Sequence, residues 1–130
     1  MSPRENPTDR FFFVHLQKTA GTALIMRMRR HFGRPAIYPD ESDKGDVAAV
    51  ISVDHLLRRW EARAESYRVV TGHFPLCTTE LLGSGFTTFT ILRDPVERTL
   101  SYLRHHRQLT PAASDRPRFR RLRHSRLRAR

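Results

Sequence analysis

Cysteine is almost missing from this 130-residue chain, which has one, Cys77. A lone cysteine excludes an internal disulfide framework and fits a reducing compartment. Lysine is nearly as scarce: of 24 basic residues only Lys18 and Lys44 are lysine. No apolar run approaches the ~20 residues of a membrane-spanning helix, and no internal repeat is visible. Residues 1–10 are polar and include Glu5 and Asp9, unlike a secretory leader, so a cytoplasmic location is expected. The triphosphate-binding pattern Gly-x-x-x-x-Gly-Lys-Ser/Thr is also missing, because here the lysine precedes the glycine.

What is present is a modest apolar fraction, 38%, and a net charge of +11. The length suits one domain. The charge is unevenly spread. Residues 111–130 hold eight arginines against one aspartate and contribute +7 of it. That tail has no apolar periodicity and is expected to be disordered. No base-reading element accompanies its charge, so nucleic-acid binding is not the expected role. The preceding residues carry only about +4, ordinary for a protein with anionic ligands.

The chain is organised around Phe11–Leu24. Phe11 to Leu16 is a short aromatic and β-branched run, as in a central parallel strand. Lys18, Thr19, Gly21 and Thr22 follow within five residues. From Ala23 to Phe32 apolar residues recur at helical spacing. A strand, a loop with a cation and hydroxyls, and a helix N-terminus suit a phosphate-like anion. The plain alternative is a turn that needed a glycine and one exposed lysine.

Further along, Gly33, Pro35 and Pro39 end the first helix, and Asp40–Asp46 reads as an acidic surface loop. Val47–Glu65 is expected to be helical, with Asp54 capping its second part and Leu56, Leu57, Trp60 and Ala64 on one face. Tyr67–Thr71 reads as a second strand ending at Gly72-His73-Phe74-Pro75. Cys77–Leu82 reads as a short helix, Gly83–Gly85 as a turn and Phe86–Leu92 as a third strand. Asp94, Pro95 and Glu97 are an N-cap, a first-turn proline and a capping-box acid. The helix they open runs to about Leu109, with Val96, Leu100 and Leu103 expected on its buried face. Strands alternating with helices predict an α/β fold with a parallel sheet. Ligands bind beyond the carboxyl ends of such strands. Lys18, His73 and Arg93 each sit near one of the three predicted strand ends.

Two segments carry a family resemblance. His15-Leu16-Gln17-Lys18-Thr19-Ala20-Gly21-Thr22 resembles the His-x-Pro-Lys-Thr segment of carbohydrate sulfotransferases, with Gln17 in place of the proline. Arg93-Asp94-Pro95-Val96-Glu97-Arg98-Thr99-Leu100-Ser101-Tyr102 resembles their Arg-Asp-Pro-x-x-Arg-x-x-Ser segment. The heparan and uronyl 2-O-sulfotransferases and their bacterial relatives look closest. The resemblance implies a fold related to the P-loop nucleotide kinases and the sulfuryl donor 3′-phosphoadenosine 5′-phosphosulfate, with no metal required. It implies that Lys18 contacts the transferred group, that Thr19, Ala20, Gly21, Thr22 and Ala23 cradle the 5′-phosphosulfate, and that Arg93 and Ser101 bind the 3′-phosphate. Val70-Thr71-Gly72-His73-Phe74 resembles the Gly-His segment of the 2-O group, which makes His73 the candidate catalytic base. Its alternative is a strand-end histidine bonded to a backbone carbonyl. His15 is expected to be a packing residue.

The resemblance spans about Phe11 to Leu109, within a partial domain at residues 11–110, roughly half of a family domain. A truncated donor-binding half is therefore expected, with a strand edge and its covering surface exposed. The activity expected is sulfuryl transfer to a hydroxyl, a carbohydrate one by the family's suggestion. Two alternatives stay open: a catalytically inactive anion-binding remnant, and a basic nucleic-acid-binding protein driven by the tail.

Overall fold

The computed structural model describes residues 9–83 and 85–109. Residues 1–8 of the polar lead-in and the arginine-rich tail at 111–130 lie outside the described residues. In order the elements are β1 (Arg10–Val14), α1 (Gly21–Phe32), β2 (Ile37–Tyr38), α2 (Ala48–Ile51), α3 (Val53–Arg63), β3 (Val69–Gly72), α4 (Thr78–Leu82), β4 (Phe86–Thr90) and α5 (Pro95–Leu109). The strands form one parallel sheet in the order β2-β3-β1-β4, flanked by helices, as the α/β reading expected. No helix among the described residues is long and apolar enough to cross a membrane.

The aromatic run of β1 organises two cores, because successive side chains of a strand point to opposite faces. Phe12, fully buried, joins Tyr38, Leu56, Trp60, Tyr67, Val70, Phe74 and Leu82 on the face covered by α3 and α4. Phe13, also fully buried, joins Met28, Ile37 and Val69 on the face covered by α1, with Phe11 packed against them. Each such phenylalanine contributes about 1.5–3 kcal/mol through burial. The helices that follow the neighbouring strands β1 and β3 therefore lie on opposite sides of the sheet. That divergence opens a crevice at the carboxyl ends of those two strands, where ligands of open parallel sheets bind.

Four expectations need correcting. The sheet has four strands, not three. Ile37 and Tyr38, both fully buried, form a two-residue strand between Pro35 and Pro39, and the breaker signal of those prolines hides it. The Val47–Glu65 region is split: α3 is capped by Ser52, whose hydroxyl accepts from the His55 N–H at 3.2 Å, while Asp54 lies in its first turn. The Asp40–Asp46 segment is not merely a surface loop, since Asp40 and Asp43 are only 8% and 7% exposed. Arg59 and Arg63 lie one turn apart on α3 and reach Asp40 at 3.2 and 2.6 Å. Arg59 also pairs with Asp43 at 3.1 Å. Tyr67 donates its hydroxyl to Asp40 at 3.1 Å.

The fourth correction concerns α5. Its expected buried stripe is uncovered: Val96, Leu100 and Leu103 are 66%, 40% and 50% exposed. Among the described residues β4 is the outer strand on that side, so the sheet ends before it can cover the stripe. Helical spacing shows that an apolar face exists, not that something packs on it. The start of the helix is as expected: the Asp94 carboxylate accepts from the Glu97 N–H at 3.0 Å. Glu97 itself turns to Arg93, 3.3 Å away.

Candidate functional site

The site grows from the end of β1. After Val14 the chain makes a tight loop in which Lys18 and Ala20 both take left-handed backbone angles, φ 65° and 64°. Non-glycine residues seldom do so, and such strain concentrates at functional loops. The Thr19 hydroxyl donates to the Leu16 carbonyl at 2.8 Å, and Thr19 is buried. Its side chain therefore braces the loop from within. Ala20 is the N-cap of α1 and supplies no side-chain acceptor, and no acid lies in the first turn. The positive end of the helix is thus left without an internal counter-charge.

His15 sits beneath this loop. Its ring stacks on Phe13 at 5.4 Å and on His73 at 4.7 Å. Burial, with the neighbouring His73 charge, lowers its pKa below the ordinary histidine value, so the neutral ring is favoured. The ring occupies the space a side chain at Gly21 would need. Gly21→Ala is accordingly expected to push His15 out of its stack and destabilise the fold by about 1–3 kcal/mol. Urea denaturation measures it, and a midpoint equal to wild type would show that the loop absorbs the methyl.

His73 follows β3. Its backbone N–H donates to the Val50 carbonyl at 2.7 Å. Its Nδ1 lies 2.6 Å from the His15 carbonyl oxygen, and a carbonyl only accepts, so Nδ1 carries the proton. Nε2 is then the nitrogen able to take up another. The carbonyl-bonded histidine and the poised base, alternatives in the sequence, are compatible in one geometry.

These groups face a cavity of about 590 Å³, within the range of small-molecule sites. From the loop and α1 come Gln17, Lys18, Ala20, Gly21 and Thr22. His15 and His73 stand at the two strand ends. From the far side come Arg93, just ahead of α5, and Ser101, with His105 and His106 beyond it. The cavity thus gathers both sequence motifs and the Gly-His segment. Ser101 meets Arg93 on one wall although it lies two turns into the helix. Thr19 and Ala23 do not line it, and the Ala23 N–H donates to the Ala20 carbonyl at 3.2 Å.

Gln17, His105 and His106 were not picked out in the sequence. The adjacent histidines do not share a helical face and so gave no metal signal. The spacing of Ser101 and His105, four residues and one turn apart, was the available clue. Among the described residues lining the cavity, none is acidic. Cations, imidazoles, hydroxyls and a helix start make it a receptor for anions. No protein-family model, curated protein or solved structure matches the chain.

Proposed function

We propose that this chain binds 3′-phosphoadenosine 5′-phosphosulfate and transfers its sulfuryl group to a hydroxyl acceptor, a carbohydrate being the class favoured by the sequence resemblance. The observation that carries the reading is the convergence of Lys18, Gly21, Thr22, His73, Arg93 and Ser101 on one cavity free of acidic lining among the described residues. These residues come from three strand ends, in the crevice where an open parallel sheet receives ligands. The donor supplies an activated sulfur with a phosphate leaving group.

In this mechanism the start of α1 and the Thr22 hydroxyl hold the 5′-phosphate, and Arg93 with Ser101 holds the 3′-phosphate. His73 accepts the acceptor's hydroxyl proton on Nε2 as the oxygen bonds to sulfur. The bond from sulfur to the bridging phosphate oxygen breaks, and Lys18 balances the charge that develops on that oxygen. Positioning and electrostatics supply most of the acceleration, as in phosphoryl transfer.

Calorimetric titration with 3′-phosphoadenosine 5′-phosphate, the desulfated donor, tests the reading. Wild type is expected to bind in the micromolar range, about −8 kcal/mol. Arg93→Ala is expected to weaken binding about tenfold or more through loss of a charge-assisted contact. A folded wild type that fails to bind the nucleotide would refute the donor site. A second reading draws support from the uncovered apolar stripe of α5: a protein that holds the donor without an assembled acceptor side. Nucleotide binding without transfer to any hydroxyl acceptor would favour it.

A further inference from the structure

The cavity continues one helical turn past the residues of its sequence motif. His105 lies four residues beyond Ser101, on the same face of α5, and both line the cavity with His106 beside them. The His106 ring packs on Tyr102 at 4.3 Å, and the two imidazoles are 6.3 Å apart. Facing them across the cavity are Lys18 and the start of α1, with His15 and His73 at the ends of β1 and β3. Arg93 stands at the root of the helix, paired with Glu97. Arg98, Arg104 and Arg107 also belong to α5. The surroundings of the two histidines are cationic or imidazole, and the carboxylate that reaches the lining, Glu97, is engaged with Arg93.

Histidine is the side chain that changes charge between pH 5 and 8. Among cations, protonation is resisted until an anion compensates the charge. An anion entering this cavity therefore favours proton uptake by imidazoles that touch it. A phosphate held by Arg93 and Ser101 lies within one helical turn of His105. We infer that His105 and His106 form a proton-dependent clamp on the phosphate monoester of the donor nucleotide. Each acts as an imidazolium when the nucleotide is bound, so the complex tightens and takes up protons as pH falls. The inference rests on the donor-binding reading above and adds a pH-responsive element to it.

The experiment is calorimetry on the full chain with 3′-phosphoadenosine 5′-phosphate at about pH 6 and about pH 8. Wild type is compared with the double variant His105→Gln/His106→Gln in buffers of different ionisation enthalpy. The wild-type advantage over the variant is expected to be about tenfold larger at the lower pH, with proton uptake that the variant lacks. The variant supplies the baseline for the ligand's own phosphate ionisation, near pH ~6, and for His15 and His73. Both substituted residues are exposed, so the thermal midpoint should be unchanged. Single variants read the same way keep the test decisive if the double variant unfolds. A wild-type-to-variant ratio equal at both pH values, with nucleotide binding intact, would overturn the clamp and leave the donor site standing. Failure of the folded wild type to bind at either pH would overturn both.

Discussion

Lys18→Ala is expected to reduce sulfuryl transfer by about 10²–10³-fold, the usual loss when a donor aimed at developing charge is removed. Nucleotide affinity should fall much less. The leaving phosphate oxygen carries more charge in the transition state than in the bound donor, so the ammonium stabilises the former more. Only two of the chain's 24 basic residues are lysine. One of them occupies the single loop where a compact point charge suits a crowded phosphate better than a planar guanidinium does. Lys18 also sits at φ 65°, which aims its side chain from a fixed and unusual backbone. Single-turnover transfer from radiolabelled donor, set beside calorimetry, separates the two effects. Transfer at the wild-type rate would remove Lys18 from the mechanism.

Asp40→Ala is expected to cost about 3 kcal/mol of stability, a large share of what a domain of this size has. It would leave the buried Tyr67 hydroxyl without its acceptor and deprive Arg59 and Arg63 of a counter-ion. Deleting one member of a buried pair costs more than the pair contributes, here moderated because both arginines are partly exposed. Burial alone would raise the Asp40 pKa. Hydrogen bonds from Ser42 and Tyr67 and the Arg59 charge outweigh it and hold the carboxyl below its ordinary range. A carboxyl with a depressed folded pKa stabilises the fold above its unfolded value, about 3.9. That contribution disappears as pH falls through the folded pKa. Urea midpoints taken from neutral pH down past ~4 should fall steeply for wild type and less steeply for the variant. Parallel curves would show that another carboxylate governs acid stability.

The elements that were legible in the sequence share a strong local cause. Phe11–Val14 is aromatic and β-branched, Gly33 at φ 82° ends α1, and Asp94-Pro95 marks the start of α5. Each decides its own stretch of chain. What was not legible depends on partners distant in sequence. The strand Ile37–Tyr38 is two residues long and exists because Val69 and Val70 lie beside it. The aspartates at 40 and 43 are buried because α3 brings two arginines to them, which acidic composition does not reveal. The stripe on α5 has the right period and nothing over it. The site divides in the same way. Lys18, His73, Arg93 and Ser101 were singled out by motif, and the structure brings them to one cavity. His105 reaches it through the direction α5 takes after Ser101, which spacing within the motif does not fix.

The bond between the His73 ring and the His15 carbonyl sets a constraint of a different kind. The acceptor is main chain, and it is located by the register of the two strands, with Val14 opposite Gly72 and the His15 N–H donating to the Gly72 carbonyl at 3.2 Å. No side-chain substitution at position 15 deletes that oxygen. The imidazole at position 73 is therefore aligned by the sheet itself, whereas its stacking partner is replaceable. Alignment and stacking are separately mutable in this molecule: changes at 15 tune the ring's surroundings, and only a shift of strand register turns the ring.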